Sequence, residues 1–421
     1  MTKNINRANG KKQDSAAENG NLIKIRKPTR SGNITGCAEV ELGRQQRLGV
    51  LSLLQKLEQA KQAPKADPVP ENVEYYIGVD IGDKKSDYCI LDKNTTIAAT
   101  GKLATTTTEF GAHFRAIPRS RIALEVGTHS PWISALLEGI GHEVFVANPR
   151  KMGGGKKKTR QKNDKIDAET LARQAKSDPK LLYPIRHRGE EARHALVLLR
   201  ARQTLVRARS RLICGVRGLV KSDGHRLPGC SAQSFHRMEQ THVPEALRET
   251  LEPIFEQIGM LTKQIHKYTA DVERMGRHAY PETDILRQVD GVGPVTSLAY
   301  ILTIENPGRF AKSRDVGAYT GLVPRMFDSG DSHPQLRITK TGDKMLRELL
   351  VECAQHMLSR HGKDSDLRRM GLKLAARGGK NAKKRAVVAV ARKTAILLHR
   401  LWSTGEVYEP LRNSQRNEHV A

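Results

Sequence analysis

The sequence predicts an α/β domain followed by a longer, all-helical region. Three observations carry that prediction. Between residues 74 and 147, short apolar runs alternate with turn residues and two helical patterns. From about residue 186 onward, apolar residues recur at spacings of three and four instead. Hydrophobic residues make up 38% of the chain but aromatic ones only 4%, so its cores are aliphatic. At 421 residues the chain is long enough for two or three domains.

The net charge of +27 speaks about partners and not about fold. It predicts binding to DNA, RNA or both. No apolar run approaches the ~20 residues that a membrane span needs. The first residues are polar and basic, without the apolar run of a secretory signal. Cys37, Cys89, Cys214, Cys230 and Cys353 are scattered and lack zinc-site spacing. They read as reduced thiols of a cytoplasmic, nucleoid-associated protein.

Residues 1–70 lack the apolar content to offset ordering entropy and read as a mobile basic arm, with one amphipathic stretch at 40–62. Pro64, Pro68 and Pro70 mark its end. Residues 75–80 form a short apolar strand that ends in an acid. Residues 86–91 and 96–101 return as antiparallel partners, with turns at Gly82-Asp83 and Asp92-Lys93-Asn94. A short helix follows at 110–117, then a second acid-bearing strand at 121–126. Ser130-Pro131-Trp132 opens a helix to residue 140, with proline suited to its first turn. Residues 142–147 form the last strand. Three antiparallel strands followed by alternating helix and strand is the order of a ribonuclease-H-like fold.

Asp80 and Glu125 lie at or near the ends of otherwise apolar strands. A carboxylate there costs free energy unless it is paired, bound to metal or open to solvent. Asn163-Asp164-Lys165-Ile166-Asp167-Ala168 opens a helix read over 167–176, and Asp164 and Asp167, three apart, face the same way. The plain reading is two acids that suit a helix N-terminus. The other is a cation site, placed just after Lys156, Lys157, Lys158, Arg160 and Lys162. Asp80, Glu125, Asp164 and Asp167 together offer hard oxygen ligands for Mg²⁺ or Mn²⁺. Two such ions can stabilise the attacking and leaving oxygens of phosphoryl transfer.

Residues 186–221 read as an arginine-rich helix. Leu198, Leu205, Leu212, Val216 and Leu219 form one stripe, and Arg193, Arg200, Arg207 and Arg211 another. Acids are nearly absent after Glu191, which favours a phosphate-tracking face over a merely solvated one. After a Gly/Pro/Ser-rich break at 224–234, Leu247, Leu251, Ile254, Ile258, Leu261, Ile265, Tyr268 and Val272 form a heptad seam with Pro253 inside it. The seam packs on the arginine-rich helix or, as the favoured expectation, on a second protomer. Residues 284–304 read as helix, Gly291-Val292-Gly293, helix, a helix-hairpin-helix pattern. Ser329 sits in a loop before Gly330, with Arg325, Arg337, Lys340 and Lys344 nearby and an unremarkable His333. Taken alone, Ser-Gly is a turn dipeptide. A helix at 345–359 and a basic amphipathic tail at 373–402, broken near Gly378-Gly379, complete the chain.

These residues carry a resemblance. Gly78-Val79-Asp80-Ile81-Gly82, Ala123-Leu124-Glu125, and Lys162 through Ala168 resemble stretches of the insertion-sequence transposases called IS one-ten, with their IS eleven-eleven branch. So do Gly291-Val292-Gly293-Pro294, Gly321-Leu322-Val323-Pro324 through Ser329-Gly330, and Ile338-Thr339-Lys340. The resemblance spans roughly residues 74–360 and leaves the basic arm and the Gly153–Lys158 loop unmatched. It implies a RuvC-like domain over 71–185 with Asp80, Glu125, Asp164 and Asp167 as metal-binding acids. It further implies a helical and coiled-coil region over 186–280, a transposase domain over 281–372 and a basic tail over 373–421. Ser329 would be a nucleophile that links covalently to DNA, a structured guide RNA would choose the target, and the protein would work as dimers that pair into tetramers. The alternatives are a RuvC-like nuclease that cuts branched DNA with metal-activated water, and a nucleic-acid-binding relative without chemistry.

Overall fold

The computed structural model describes residues 73–149, 151–152 and 164–413 apart from 333 and 335, together with two short strands near the N-terminus. The chain divides into Met1–Gln59 and Ala60–Ala421. In the first unit the described strands are Lys24–Ile25 and Ala38–Glu39, paired antiparallel. Apart from these strands, the expected mobile arm and its amphipathic stretch lie outside the described residues, as do Cys37, the basic loop holding Lys156, Lys157, Lys158, Arg160 and Lys162, and His333. All that follows concerns the second unit.

It opens with β1 (Tyr76–Asp80), β2 (Lys85–Leu91), β3 (Ile97–Ala104), α1 (Thr107–Arg115), β4 (Arg121–Glu125), α2 (Ser130–Gly139) and β5 (Glu143–Ala147). The sheet order is β3-β2-β1-β4-β5. The first three strands pair antiparallel and β4 and β5 join parallel, as the pattern predicts. Most bounds differ from the reading by one or two residues, and two differ by three. β3 runs on to Ala104, and α1 starts at Thr107 because the Thr106 hydroxyl accepts from the Glu109 N–H and caps it there.

Alternation gives the sheet two unlike faces. On one, Ile77, Val79, Ile122, Leu124 and Val146 bury against Phe110, Phe114, Ile133 and Leu137 of α1 and α2. On the other, Ala123, Ala147, Cys89 and Leu91 meet α3 (Asp164–Ser177) through Ala168, Leu171, Ala172 and Ala175. That second face is lined by small residues because helix backbone rests on strand backbone. A Cβ added at Gly78 would lie 1.9 Å from the Ala168 carbonyl oxygen and 2.5 Å from the Ala172 nitrogen. α3 begins at Asp164, three residues earlier than expected, so both acids of its motif lie in its first turn.

A short 3₁₀ turn leads to α4 (Glu190–Ser222), then α5 (Glu239–His242) and α6 (Glu245–Ala279). Two bonds set α4 and α6 antiparallel and one heptad apart: Arg202 Nε donates to Thr269 Oγ1 (2.8 Å), and Arg209 Nη1 to Thr262 Oγ1 (3.2 Å). The favoured expectation of a second protomer is corrected here. Leu251, Phe255 and Ile258 bury inside the chain against Val216, Val220, Phe235 and Met238. The predicted stripe on α4 is corrected in part: Val216 and Leu212 join this cluster. The buried face of α4 is Ala192, Ala195, Leu196, Leu199, Arg209, Val216 and Val220, while Leu219 is 52% exposed. Arg209 takes a core position, where burial lowers its pKa. α6 continues unbroken across Pro253.

The remaining helices are α7 (Thr283–Arg287), α8 (Pro294–Ile304), α9 (Asp315–Tyr319), α10 (Lys344–Leu358), α11 (Asp366–Ala376) and α12 (Ala382–Thr404). Thr296 through Ile304 of α8 are all buried, and the Tyr300 hydroxyl donates to the Ala395 carbonyl at 2.7 Å. α12 therefore packs into this region, burying Ala386, Val390, Ala391, Ala395, Leu398 and Trp402, and residue 373 lies within α11. Gly291-Val292-Gly293 joins α7 to α8 as predicted, with Gly291 at φ +78°. Burial pushes the Cys353 thiol up to about 11 and raises that of Cys89, as suits inert structural thiols. No helix among the described residues is long and apolar enough to cross a membrane.

Two stability predictions follow from this packing. Gly78→Val forces α3 off β1 and should cost about 3 kcal/mol or more, read from urea unfolding. Ile258→Asp puts an unpaired charge into a seam closed within the chain. It should lower the unfolding free energy by about 4 kcal/mol or more; a variant of unchanged stability that only dissociates would restore the intersubunit assignment.

Candidate active site

The acids are placed by strand register. Asp80 ends β1 and Glu125 ends β4. The parallel pairing sets Gly78 beside Ala123 and Val79 beside Leu124, so Asp80 and Glu125 are next in step. Both follow the alternation of Gly78 and Ala123, so both belong to the α3 face. Asp167 precedes Ala168, whose carbonyl lies over Gly78, two residues before Asp80. The Gly78 contact thus brings the first turn of α3 to the strand-end edge where Asp80 and Glu125 stand. All three carboxylates are half-buried. Asp164 begins α3, but its side chain lies outside the described residues.

The same row continues across the sheet. Asp80 pairs in register with Asp87 of β2, and Asp87 with Lys102 of β3. Lys102 Nζ reaches Asp87 Oδ2 at 3.1 Å. Asp87 was missed in the sequence, where it reads as one polar residue of a strand after a turn. The signal was available: a tight turn between residues 80 and 87 sets the two acids opposite each other. Among the described residues no three His, Cys, Asp or Glu side chains stand close enough together to hold a metal ion. Asp80, Glu125 and Asp167 share an edge and a face without closing into a ligand shell. Their donor chemistry, carboxylate oxygens alone, nevertheless fits a hard divalent cation. At the same end of the sheet, His129 Nε2 meets Asp83 Oδ1 of the β1–β2 turn at 3.5 Å and Nδ1 accepts from Trp132 Nε1, a link not anticipated from sequence.

Ser329 stands on a separate element. Between α9 and α10 the chain makes a thin hairpin. Thr339 donates to Val323, Pro324 bridges Ile338, and Arg325 donates to Arg337. At the tip Ser329 and Ser332 exchange both backbone bonds around Gly330-Asp331, with Gly330 at φ +53°. Ser329 is therefore held in a paired turn and not in the loose loop expected. The base is pinched by two glycines in left-handed conformation. A Cβ on Gly321 would lie 2.3 Å from the Thr341 carbonyl oxygen, and one on Gly342 2.0 Å from that of Tyr319. Arg347 Nη1 stitches the base, donating to Thr341 (2.7 Å) and Thr320 (3.2 Å) carbonyls. Ser329, Arg325, Arg337, Lys340 and Lys344 are exposed. So are Met326 (84%) and Phe327 (73%).

The arginine face of α4 is divided in use. Arg193 Nη1 donates to the Pro131 carbonyl at 3.0 Å, bolting α4 to α2. Arg207 is tied to Glu348 of α10 at 2.7 Å, and Lys344 lies 3.8 Å from the same carboxylate. Arg200 and Arg211 are exposed.

Comparison with known proteins matches both regions. A family model described as "Transposase IS116/IS110/IS902 family" matches residues 283–369, from α7 into α11. A DEDD transposase model of the same group matches residues 77–222, from β1 to the end of α4. The transposase for insertion sequence element IS1111A of Coxiella burnetii is 28% identical over 254 residues, 59% of this chain and 68% of that protein. The transposase for insertion sequence element IS1328 of Yersinia enterocolitica is 28% identical over 250 residues, 58% of this chain and 72% of that protein. A DEDD domain generally implies a divalent metal ion. With a mixed sheet leading into helices, an edge of acids and both models in chain order, the chain belongs to the IS110 family of insertion-sequence transposases, enzymes that cut and rejoin DNA.

Proposed function

We propose that this transposase works through a serine-linked DNA intermediate. Asp80, Glu125, Asp164 and Asp167 of a RuvC-like domain hold Mg²⁺ or Mn²⁺, and Ser329 is the nucleophile. The observation that supports the metal half is the shared sheet edge of Asp80, Glu125 and Asp167, built on the Gly78 contact. The serine half is supported by the exposed hairpin that carries Ser329 at its tip, with Arg325 and Arg337 paired further down and Lys340 and Lys344 at its base.

In the proposed reaction Ser329 Oγ loses its proton to a base and attacks the scissile phosphorus. The P–O bond to one deoxyribose breaks, and that oxygen leaves as a hydroxyl. A second strand's hydroxyl then attacks the phosphoserine, and Ser329 departs with a proton. The bound ion supplies charge stabilisation at the scissile phosphate. The hairpin cations neutralise charge that develops on the same group. Because each step exchanges one phosphodiester for another, strands are rejoined without ATP. Residues 71–185 and 281–372 act as the two catalytic regions. Arg200 and Arg211 track phosphates, a structured RNA guides target choice, and dimers that pair into tetramers are the working assembly.

Trapping reactions and mapping the DNA-linked peptide by mass spectrometry tests the nucleophile. The adduct is expected on Ser329 and lost in Ser329→Ala, which still binds nucleic acid. An adduct on Ser332, its partner across the turn, would move the role three residues. Active cleavage with no adduct would favour a nuclease that uses water. Asp80→Asn and Asp167→Asn should each abolish cleavage and spare binding.

Salt dependence tests the binding face. Arg200→Gln and Arg211→Gln should each flatten the slope of log K against log salt by roughly 0.9. Arg207→Gln should change it less, since Glu348 already neutralises that cation. Equal slopes for all three variants and the parent would return α4 to ordinary solvated surface.

A further inference from the structure

Asp87 is used by nothing described so far. It is 5% exposed, and its side chain belongs to the α3 face beside Cys89 and Leu91, two and four residues on. Its register partner on one side is Asp80 and on the other Lys102. Lys102 takes Oδ2, while Oδ1 is buried with no hydrogen-bond partner among the described residues. Two features of this arrangement are unfavourable as they stand. Directly opposed like charges on a strand pair repel. A buried carboxylate oxygen left without a partner bears its full desolvation penalty. An ion pair with Lys102 accounts for neither. That lysine is 53% exposed and meets Oδ2.

We infer that Asp87 is a further acid of the cation site at Asp80, its Oδ1 serving a divalent ion shared with Asp80, either directly or through a water on that ion. The inference rests on the reading of Asp80 as a metal ligand. A cation shared by the two carboxylates removes the repulsion and gives Oδ1 its missing partner. The ligand class is a hard divalent ion, because every donor in the row is a carboxylate oxygen. Lys102 has a defined part: it competes with the metal for the charge of Asp87. Lys102, Asp87, Asp80 and Glu125 form one row across four strands.

Mn²⁺ alone is the probe, titrated into the full chain and followed by electron paramagnetic resonance, with no nucleic acid present. Asp80→Asn should lose the site. Asp87→Asn, which keeps shape and size, should weaken Mn²⁺ about 10- to 100-fold. Its melting temperature in EDTA should not fall below that of the parent, because the repulsion with Asp80 is gone. Lys102→Met should tighten Mn²⁺, since it removes the competing cation. If Asp87 were only the partner of Lys102, Asp87→Asn would melt lower in EDTA and bind Mn²⁺ like the parent, and Lys102→Met would behave the same way. That result overturns the role of Asp87 and leaves Asp80 as a ligand. Parent-like Mn²⁺ binding by Asp80→Asn, or no binding by the parent, overturns the reading of Asp80 and the role of Asp87 with it.

Discussion

The backbone of α3 rests on the backbone of β1 at Gly78, and the acid edge depends on that contact. With 1.9 Å between a notional Cβ and the Ala168 oxygen, no other residue fits without displacing the helix. The neighbours conform: Ala123, Ala147, Ala168, Ala172 and Ala175 are all small and buried. Close approach of this kind shortens the distance that side chains must span. Short carboxylates at residues 80 and 167 then lie at one edge, where a larger spacer would part them. Burial energy per residue on this face is modest, since alanines bury little area. The face is organised for proximity, and the opposite face, with Phe110, Phe114, Ile133 and Leu137, supplies most of the apolar burial.

Charge is handled in two ways. Some of the chain's cations are structural. Arg121 pairs with Glu143 at 2.8 Å and lies over the rings of Tyr76 and Phe145. Arg217 covers Phe235 at 5.1 Å and donates to the Leu227 and Pro228 carbonyls. Arg202 and Arg209 lock the register of two long helices through threonine hydroxyls. A chain poor in aromatics uses guanidinium groups as flat, polar packing elements. Net charge read from composition therefore overstates the number of cations free to meet phosphate. The exposed set on the hairpin and on α4 is smaller, and its members sit on surfaces whose backbone is fixed.

What was legible in the sequence divides along physical lines. Strand order was readable from the apolar runs and from the turns at Gly82-Asp83 and Asp92-Lys93-Asn94 between the first three strands. The helix-hairpin-helix element was readable from Gly291-Val292-Gly293 followed by proline at the start of α8. The face of α4 was not, because hydrophobicity puts leucine inside and arginine outside. Here Leu219 is outside and Arg209 inside, a choice made by Thr262 on another helix. The partner of the α6 seam was ambiguous for a related reason: a heptad states that a face will be covered and not by what. Asp87 was hidden because its meaning lies in register, and register is a property of two strands. The Ser329 hairpin was hidden because its pairing is sparse, a few isolated bridges with no alternating apolar run to announce them.

The hairpin also shows how a small element can be stiff without a core. Its side chains contribute almost no burial, as the exposure of Met326 and Phe327 attests. Rigidity comes from the base, where Gly321 and Gly342 let two chain segments touch backbone to backbone and Arg347 bridges them. At the other end the two reciprocal backbone hydrogen bonds between Ser329 and Ser332 close the turn. Substituting either basal glycine would strain a positive-φ position and push the segments apart. The serine hydroxyl thus gains position from geometry at both ends, while its surroundings stay open to a large substrate. For the proposed nucleophile, aimed at a phosphodiester, that division is the useful one, because orientation must be fixed before binding while access must not be.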